Sequence, residues 1–205
     1  MTSLTPQLLL ALSLFAFVNS ITPGPNNTML MASGANFGFR ATLPHLSGVA
    51  IGFGVMVLAV GLGLGGLFIA FPRLHDVLAV AGGIYMIWLA WKIATSKGMG
   101  GGQAGGRPQT FWQAAAFQWV NPKAWAMAVG AISTYVPADH YSLNVLVVAV
   151  VFMAVNAPSV TVWTAFGVGL RRFLDRPAVL KTFNITMAVL LLTSLIPLAM
   201  ELVGA

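Results

Sequence analysis

From Asn144 to Val155 the chain reads NVLVVAVVFMAV, a run that after its first residue is wholly apolar, with no charge and no turn residue. Runs of this kind recur along its length, and they decide what the chain can fold into. A strand of an outer-membrane barrel alternates apolar and polar over about 10 residues. These runs are continuous, so they read as helices, with about 20 residues needed for each membrane crossing. Only 7% of the 205 residues are charged and 58% are hydrophobic. An ordinary soluble domain carries about 25% charge, so this chain cannot cover a water-facing surface. The expected class is an all-α integral membrane protein.

Six spans are expected, at roughly 6–38, 43–70, 76–95, 111–136, 142–169 and 182–203. The first, second and fifth exceed a straight crossing, which predicts tilt, kinks or broken helices. Arg40 follows span 1, Lys92, Lys97 and Arg107 surround the gap after span 3, and Arg171, Arg172, Arg176 and Lys181 fill the gap after span 5. The alternate gaps hold Arg73, Asp76 and Asp139, and the tail holds Glu201. The positive-inside rule therefore places both termini outside the cytoplasm. Trp88 and Trp91 fit an inner interfacial belt, and Tyr135 and Tyr141 an outer one. The net charge is +6, but the basic residues are spread through short gaps, so the expected partner is the bilayer and not nucleic acid. There is no cysteine, which excludes disulfides, thiol catalysis and thiolate metal sites. No basic segment precedes the first apolar run, so residues 6–22 read as retained structure and not as a cleaved signal.

The segment GMGGGQAGG, 98–106, is a flexible linker at the midpoint of the chain. With three spans on each side, two similar halves would lie in opposite orientations. Residues 1–97 form the first three-helix repeat, 98–110 a cytoplasmic linker, and 111–205 the second repeat. This is the inverted plan of many secondary transporters. The halves echo each other locally. Span 1 contains AFVNSITPGPNN, 16–27, and span 4 contains FQWVNPKAW, 117–125; both read aromatic, Val, Asn, then Pro. Interrupted segments at corresponding places in two halves point to a transporter's binding site.

Pro23 and Pro25 each remove an amide donor and clash with the preceding turn, so span 1 should stop near Thr22. Gly24 is expected to supply unusual dihedrals at the break. Pro25 suits the first position of a new half-helix, with Asn26 and Asn27 in its first turn. In span 4, Asn121 suits an N-cap and Pro122 the next position. Both half-helix N-termini would then start inside the membrane, each carrying unpaired amides and about half a positive charge. Together they suit a carboxylate. The carbonyls released near Asn19–Ile21 and Gln118–Val120 suit an ammonium. A zwitterionic amino acid satisfies both, with Asn19, Asn26, Asn27, Asn121 and Lys123 as the polar groups at hand. The bland alternative is a pair of kinked structural helices, their freed backbone satisfied by neighbours.

Lys123 lies about a dozen residues beyond the interfacial Phe111 and Trp112, or roughly 18 Å along a helix. No Asp or Glu sits mid-span to pair it. A substrate carboxylate or the carbonyls at the breaks are the remaining partners, and intramembrane ionisable residues are functional by default. His45, about one turn inside span 2, is either a packed interfacial residue or a proton relay. Lys123 and His45 are thus the coupling candidates. Asn156 and Pro158 either kink span 5 or line the cavity. Gly48 and Gly52, then Gly61 and Gly65, form GxxxG pairs suited to close helix packing; a homodimer through span 2 is left open. Metal clusters, paired carboxylates and a Ser/His/Asp set are missing from the spans, and no cofactor is expected.

TPGPNN in span 1, GFR after it, YMIWLAWKIATS ending span 3 and FQWVNPKAW in span 4 resemble the LysE/RhtB amino-acid exporters over nearly the whole chain. The pattern is most similar to the cysteine/O-acetylserine branch. The family's PGP falls on Pro23, Gly24 and Pro25, and its NPK on Asn121, Pro122 and Lys123. The resemblance implies a secondary exporter of small neutral amino acids or derivatives across the bacterial inner membrane, without ATP and driven by the proton gradient. The reading from a different class is a membrane enzyme or assembly factor acting on a lipid or sulfur compound; a passive channel is the third.

The charge asymmetry yields a direct expectation. Reporter fusions after Arg107 and after Arg172 should read cytoplasmic, and fusions after Asp139 and at Ala205 external. A cytoplasmic C-terminus overturns both the orientation and the inverted repeat built on it.

Overall fold

The computed structural model describes residues 4–64, 70–71, 73–97, 107–196 and 199–200, and among these there is no strand. The Gly-rich linker 98–106, Gly65 and the tail from Glu201 lie outside the described residues.

Helix α1, Pro6–Ile21, starts with Pro6 at its first position and Thr5 capping the Leu8 amide at 3.2 Å. It stops before Pro23-Gly24-Pro25, and α2, Pro25–Phe37, leaves at 54° to it. Gly38, at φ 82°, ends α2 in a conformation that favours glycine. This accounts for the glycine of the GFR motif. Helix α3, Phe39–Ala59, passes into a π-helical turn at Val60–Leu64, where Gly63 has φ 121°. Span 43–70, expected to tilt, kink or break because of its length, is thus interrupted at Gly63. Helix α4 is Arg73–Ala94. Helix α5, Phe111–Phe117, opens with a capping box between Thr110 and Gln113 and tightens into a 3₁₀ turn at Gln118–Val120. Helix α6 is Pro122–Tyr135. Helix α7, Tyr141–Leu170, runs unbroken through Pro158 into a 3₁₀ turn at Arg171–Phe173, and α8 is Pro177–Thr193.

Two of these segments are long and apolar enough to cross a membrane alone: Phe39–Leu64, of mean hydropathy 2.1, and Tyr141–Phe173, of mean hydropathy 2.3. The bent pair α1 and α2 makes a third. The apolar parts of α4 and α8, Val80–Ala94 and Pro177–Thr193, are shorter, and α5 and α6 are separated by the 3₁₀ turn and Asn121. The outer surface is apolar, with Leu10 and Leu14 on α1, Ile84 and Ile87 on α4, and Val162 and Phe166 on α7 all exposed. A soluble monomer rarely shows such continuous apolar surface; here it meets lipid tails.

The centre of the bundle is α2, in which every residue but Asn26 and Phe37 is buried. Met29 packs with Met86, Leu89, Phe117 and Leu191. Leu30 packs with Leu46, Val49 and Val160, and Met31 and Ala32 with Met187. A second core joins Leu12 and Ala16 of α1, Phe53 and Met56 of α3, Ala128 and Ala131 of α6, and Val148 and Phe152 of α7. Close approaches are made at glycines. A Cβ at Gly34 would fall on the Thr164 carbonyl, and one at Gly167 on the Met31 carbonyl, so α2 and α7 cross backbone to backbone. Gly48 and Gly52 of α3 face Phe111, Ala114 and Ala115 of α5 in the same chain. That GxxxG pair is occupied internally and offers no face to a second copy. Gly61 likewise abuts Val145 and Ile132.

These contacts set an expectation for the glycines. Overpacking a filled core costs about 1–3 kcal/mol. Gly34→Ala and Gly167→Ala meet backbone, which cannot swing aside, so each should lower the unfolding temperature of the detergent-solubilised protein clearly. Gly83 has nothing within 4 Å of an added Cβ, and Gly83→Ala should not. Equal thermal shifts for all three overturn the assigned crossing.

Candidate functional site

The two helix breaks meet. Asn26, in the first turn of α2, and Gln118, at the end of α5, exchange two side-chain hydrogen bonds: Asn26 Nδ2 donates to Gln118 Oε1 at 2.8 Å, and Gln118 Nε2 to Asn26 Oδ1 at 3.2 Å. Gln118 also donates to the Ala114 carbonyl at 2.9 Å and is fully buried. The Lys123 ammonium, from the second residue of α6, reaches across to the first break. It donates to the Thr22 carbonyl at 3.0 Å, the Thr22 hydroxyl at 2.9 Å and the Pro23 carbonyl at 3.2 Å. Among the described residues these three oxygens are its partners. Of the two options open to Lys123 on sequence grounds, the break carbonyls hold it here.

Each break is fixed by its own side chains. Asn27, buried between α1 and α2, donates to the Ser20 and Thr22 carbonyls, both at 2.8 Å, and staples the bend shut. At the second break Asn121 is the N-cap of α6, accepting from the Lys123 amide at 3.1 Å, with Pro122 at the first helical position. Gly24 departs from the sequence reading. Its backbone is extended, at φ −178° and ψ 179°, which any residue adopts. Its constraint is space: an added Cβ would stand 2.9 Å from Lys123 Cδ and 3.1 Å from Nζ. Glycine is there so that the lysine stem can lie across the break.

A cavity of about 30 Å³ lies between the breaks. Asn19, Gly24, Pro25, Asn26, Asn27, Asn121, Lys123 and Asn156 all line it, with Ser20, Phe53, Ala124 and Met127. Pro23 and Pro122 are not in its wall; they set the break and the start of α6. His45 is elsewhere, buried in α3. Around the cavity, Asn19 donates back to the Phe15 carbonyl at 2.9 Å. The Ser20 hydroxyl is buried without a partner. No hydrogen bond to a described residue engages the Asn156 amide or the Asn26 and Asn27 backbone N–H groups. The α2 N-terminus thus presents donors and a positive dipole end to the cavity, while Ser20 and Asn156 supply further donors and acceptors. Phe53 and Met127 make an apolar wall.

The released carbonyls are less available than their position suggests. Trp163 Nε1 donates to the Ile21 carbonyl at 3.0 Å, and Trp125 Nε1 to the Trp119 carbonyl at 2.8 Å. At the first break the Thr22 carbonyl accepts from both Asn27 and Lys123, and the Pro23 carbonyl from Lys123. Ser20, Phe53, Met127 and the two tryptophans escaped the sequence reading. Trp163 lies 142 positions from its partner, so no local pattern could pair them.

The sequence matches the LysE type translocator family over residues 17–201. It is 34% identical over 191 residues to the cysteine/O-acetylserine efflux protein of Escherichia coli O139:H28, covering 92% of this chain and 96% of that protein. Proteins of the same name from Escherichia coli K12 and Shigella sonnei are 34% identical over 190 residues, covering 92% of this chain and 95% of each. No solved structure matches the chain. The agreement spans both helix breaks and nearly the full length of relatives and chain alike: this protein belongs to the LysE type translocator family.

Proposed function

We propose that the protein is a secondary exporter of small neutral amino acids and their derivatives, of the cysteine, O-acetylserine, homoserine and threonine type. It carries them out across the bacterial inner membrane at the expense of the proton gradient. In this reading the chain crosses the membrane six times as two inverted three-helix halves, 1–97 and 111–205, with both termini outside the cytoplasm. The observation that carries it is the meeting of the two breaks, joined by Asn26 with Gln118 and by Lys123 with Thr22 and Pro23. Half-helix N-termini at a repeat interface are how such transporters hold charged substrates in the bilayer. The names of the relatives favour cysteine and O-acetylserine within that class.

The geometry suggests an exchange of ammonium groups. The cavity has room for about one or two waters and not for an amino acid. Loading therefore requires Lys123 to leave the first break. Its ammonium then meets the substrate carboxylate, aided by the Asn26 and Asn27 amides at the positive end of α2. The substrate ammonium takes the Thr22 and Pro23 oxygens that Lys123 vacates, with Asn156 and Ser20 beside them. Each carrier state then keeps its charges paired, which a low-dielectric interior demands. Because Lys123 bridges the halves only when no substrate is bound, loading releases one half from the other. Lys123, with its mobile ammonium, is the first candidate for proton coupling and His45 the second.

Export is tested with cysteine, O-acetylserine, homoserine and threonine loaded into exporter-deficient cells, with and without the protein. No difference for any of them overturns the reading. Within it, losing a hydrogen bond to a charged group costs about 1.5–3 kcal/mol, so Lys123→Met should cut export about 10- to 100-fold at undiminished membrane insertion. Lys123→Arg should also be poor, since a planar fork does not replace a compact ammonium. Efflux at the wild-type rate per inserted Lys123→Met molecule would falsify the lysine's role. Gly24→Ala gives an independent check: its methyl displaces the lysine stem, so export should fall while the unfolding temperature changes little.

A further inference from the structure

At the other end of α2 lies a second cavity, of about 50 Å³, with His45 and Gln109 at its buried floor and Lys92 and Arg107 in its wall. His45 is 2% exposed, and neither ring nitrogen has a hydrogen-bond partner. Gln109 is 7% exposed and its Oε1 is also unpartnered, while its Nε2 finds only the Met29 sulfur at 3.9 Å. A buried polar atom without a partner is costly. Three such atoms on one cavity mark a place built for something polar. Water in the cavity would answer them; a ligand that also carries a carboxylate would engage the cations beside it as well. Lys92, in the last turn of α4, and Arg107, which is exposed at the mouth, bring two cations, and among the described residues no carboxylate lines the cavity.

The pattern has a polarity. The exposed Arg107 guanidinium, with Lys92 in the wall and its ammonium over the Trp88 ring at 5.3 Å, suits a carboxylate. At the floor, Gln109 Oε1 and whichever imidazole nitrogen lacks the proton are acceptors, and they suit an ammonium. Met29 and Leu89 supply apolar wall for a short side chain. We infer that this cavity is a second amino-acid site, where substrate waits before reaching the break cavity; at about 50 Å³ it holds only about three waters as it stands, so loading requires the exposed Arg107 side chain to swing outward. The ligand class rests on the exporter reading above. Helix α2 links the two sites: Asn27 lines one and Asn36 the other, about 14 Å apart along the helix. The basic cluster puts the second site on the side from which export begins.

The test is equilibrium binding of radiolabelled O-acetylserine to the purified full-length protein. Lys123→Met removes the ammonium of the break cavity, and that form should still bind about one equivalent per chain. Adding Arg107→Gln and Gln109→Met should abolish this binding; Arg107 is exposed, so Arg107→Gln alone, with a weaker loss, guards against misfolding of the combined form. Acetate should displace the ligand poorly, because it lacks the ammonium. The inference is overturned if Lys123→Met protein binds nothing, if the Arg107 and Gln109 changes leave its binding intact, or if acetate competes as well as unlabelled O-acetylserine. A wild-type protein that exports while Lys123→Met binds nothing sinks the second site alone. One that exports nothing while Lys123→Met binds through Arg107 and Gln109 sinks the exporter reading alone.

Discussion

A thirteen-residue helix surrounded on all sides by apolar packing has to be held by its ends, and α2 is held there by paired side-chain amides. At its start Asn26 and Gln118 satisfy each other. At its finish Asn36 Nδ2 donates to Asn184 Oδ1 at 2.6 Å, Asn184 Nδ2 returns the bond at 3.1 Å, and Ser96 Oγ adds a third at 3.0 Å. An unpaired amide in such surroundings costs several kcal/mol by transfer measurements, so each pair fixes a register that a merely greasy contact would not. The remaining helices take their places around this post: α3 and α7 along its flanks, α4 and α8 near its finish, and α5 and α6 at its start.

The second organising feature is a charge without a counter-charge. A lysine with no carboxylate among its partners in the described residues must be satisfied by dipoles, and a broken helix supplies them in its released carbonyls. The first break is thus both a bend and a ligand for Lys123. Carbonyl oxygens bind an ammonium less tightly than a carboxylate does. In the proposed exchange the resting contact is therefore one that an incoming amino acid displaces, whereas an Asp or Glu in the same place would hold the lysine shut.

Local features were legible in the sequence and long-range ones were not. The stop before Pro23, the start at Pro25, the cap at Asn121 and the first position at Pro122 follow from backbone chemistry within a few residues, and the helices begin and end there. The need for glycine at position 24 was legible too, but its reason was not, because the lysine that crowds it comes from 99 positions away. Gly48 and Gly52 read equally well as a face for a second chain or for α5, since small-residue spacing does not name its partner. The number of crossings stays an inference from apolar runs and charge balance. Helix length alone marks two segments and one bent pair, because α4, α8 and the α5–α6 pair are short or interrupted. The partners of the break carbonyls, Trp125 and Trp163, depend on tertiary placement that periodicity does not encode.

The backbone crossing of α2 over α7 has a mechanical consequence. At Gly34 and Gly167 no side chain separates the two helices, so nothing there can change rotamer to let one slide along the other. Any tilt of α2 has its fulcrum at that point. The fulcrum lies off-centre: about 12 Å of helix runs from Gly34 back to Asn26, and only about 5 Å on to Phe37. A small displacement at the basic end is therefore amplified more than twofold at the break, in the opposite direction. Helix α2 is geared as an unequal see-saw whose longer arm ends at the break cavity.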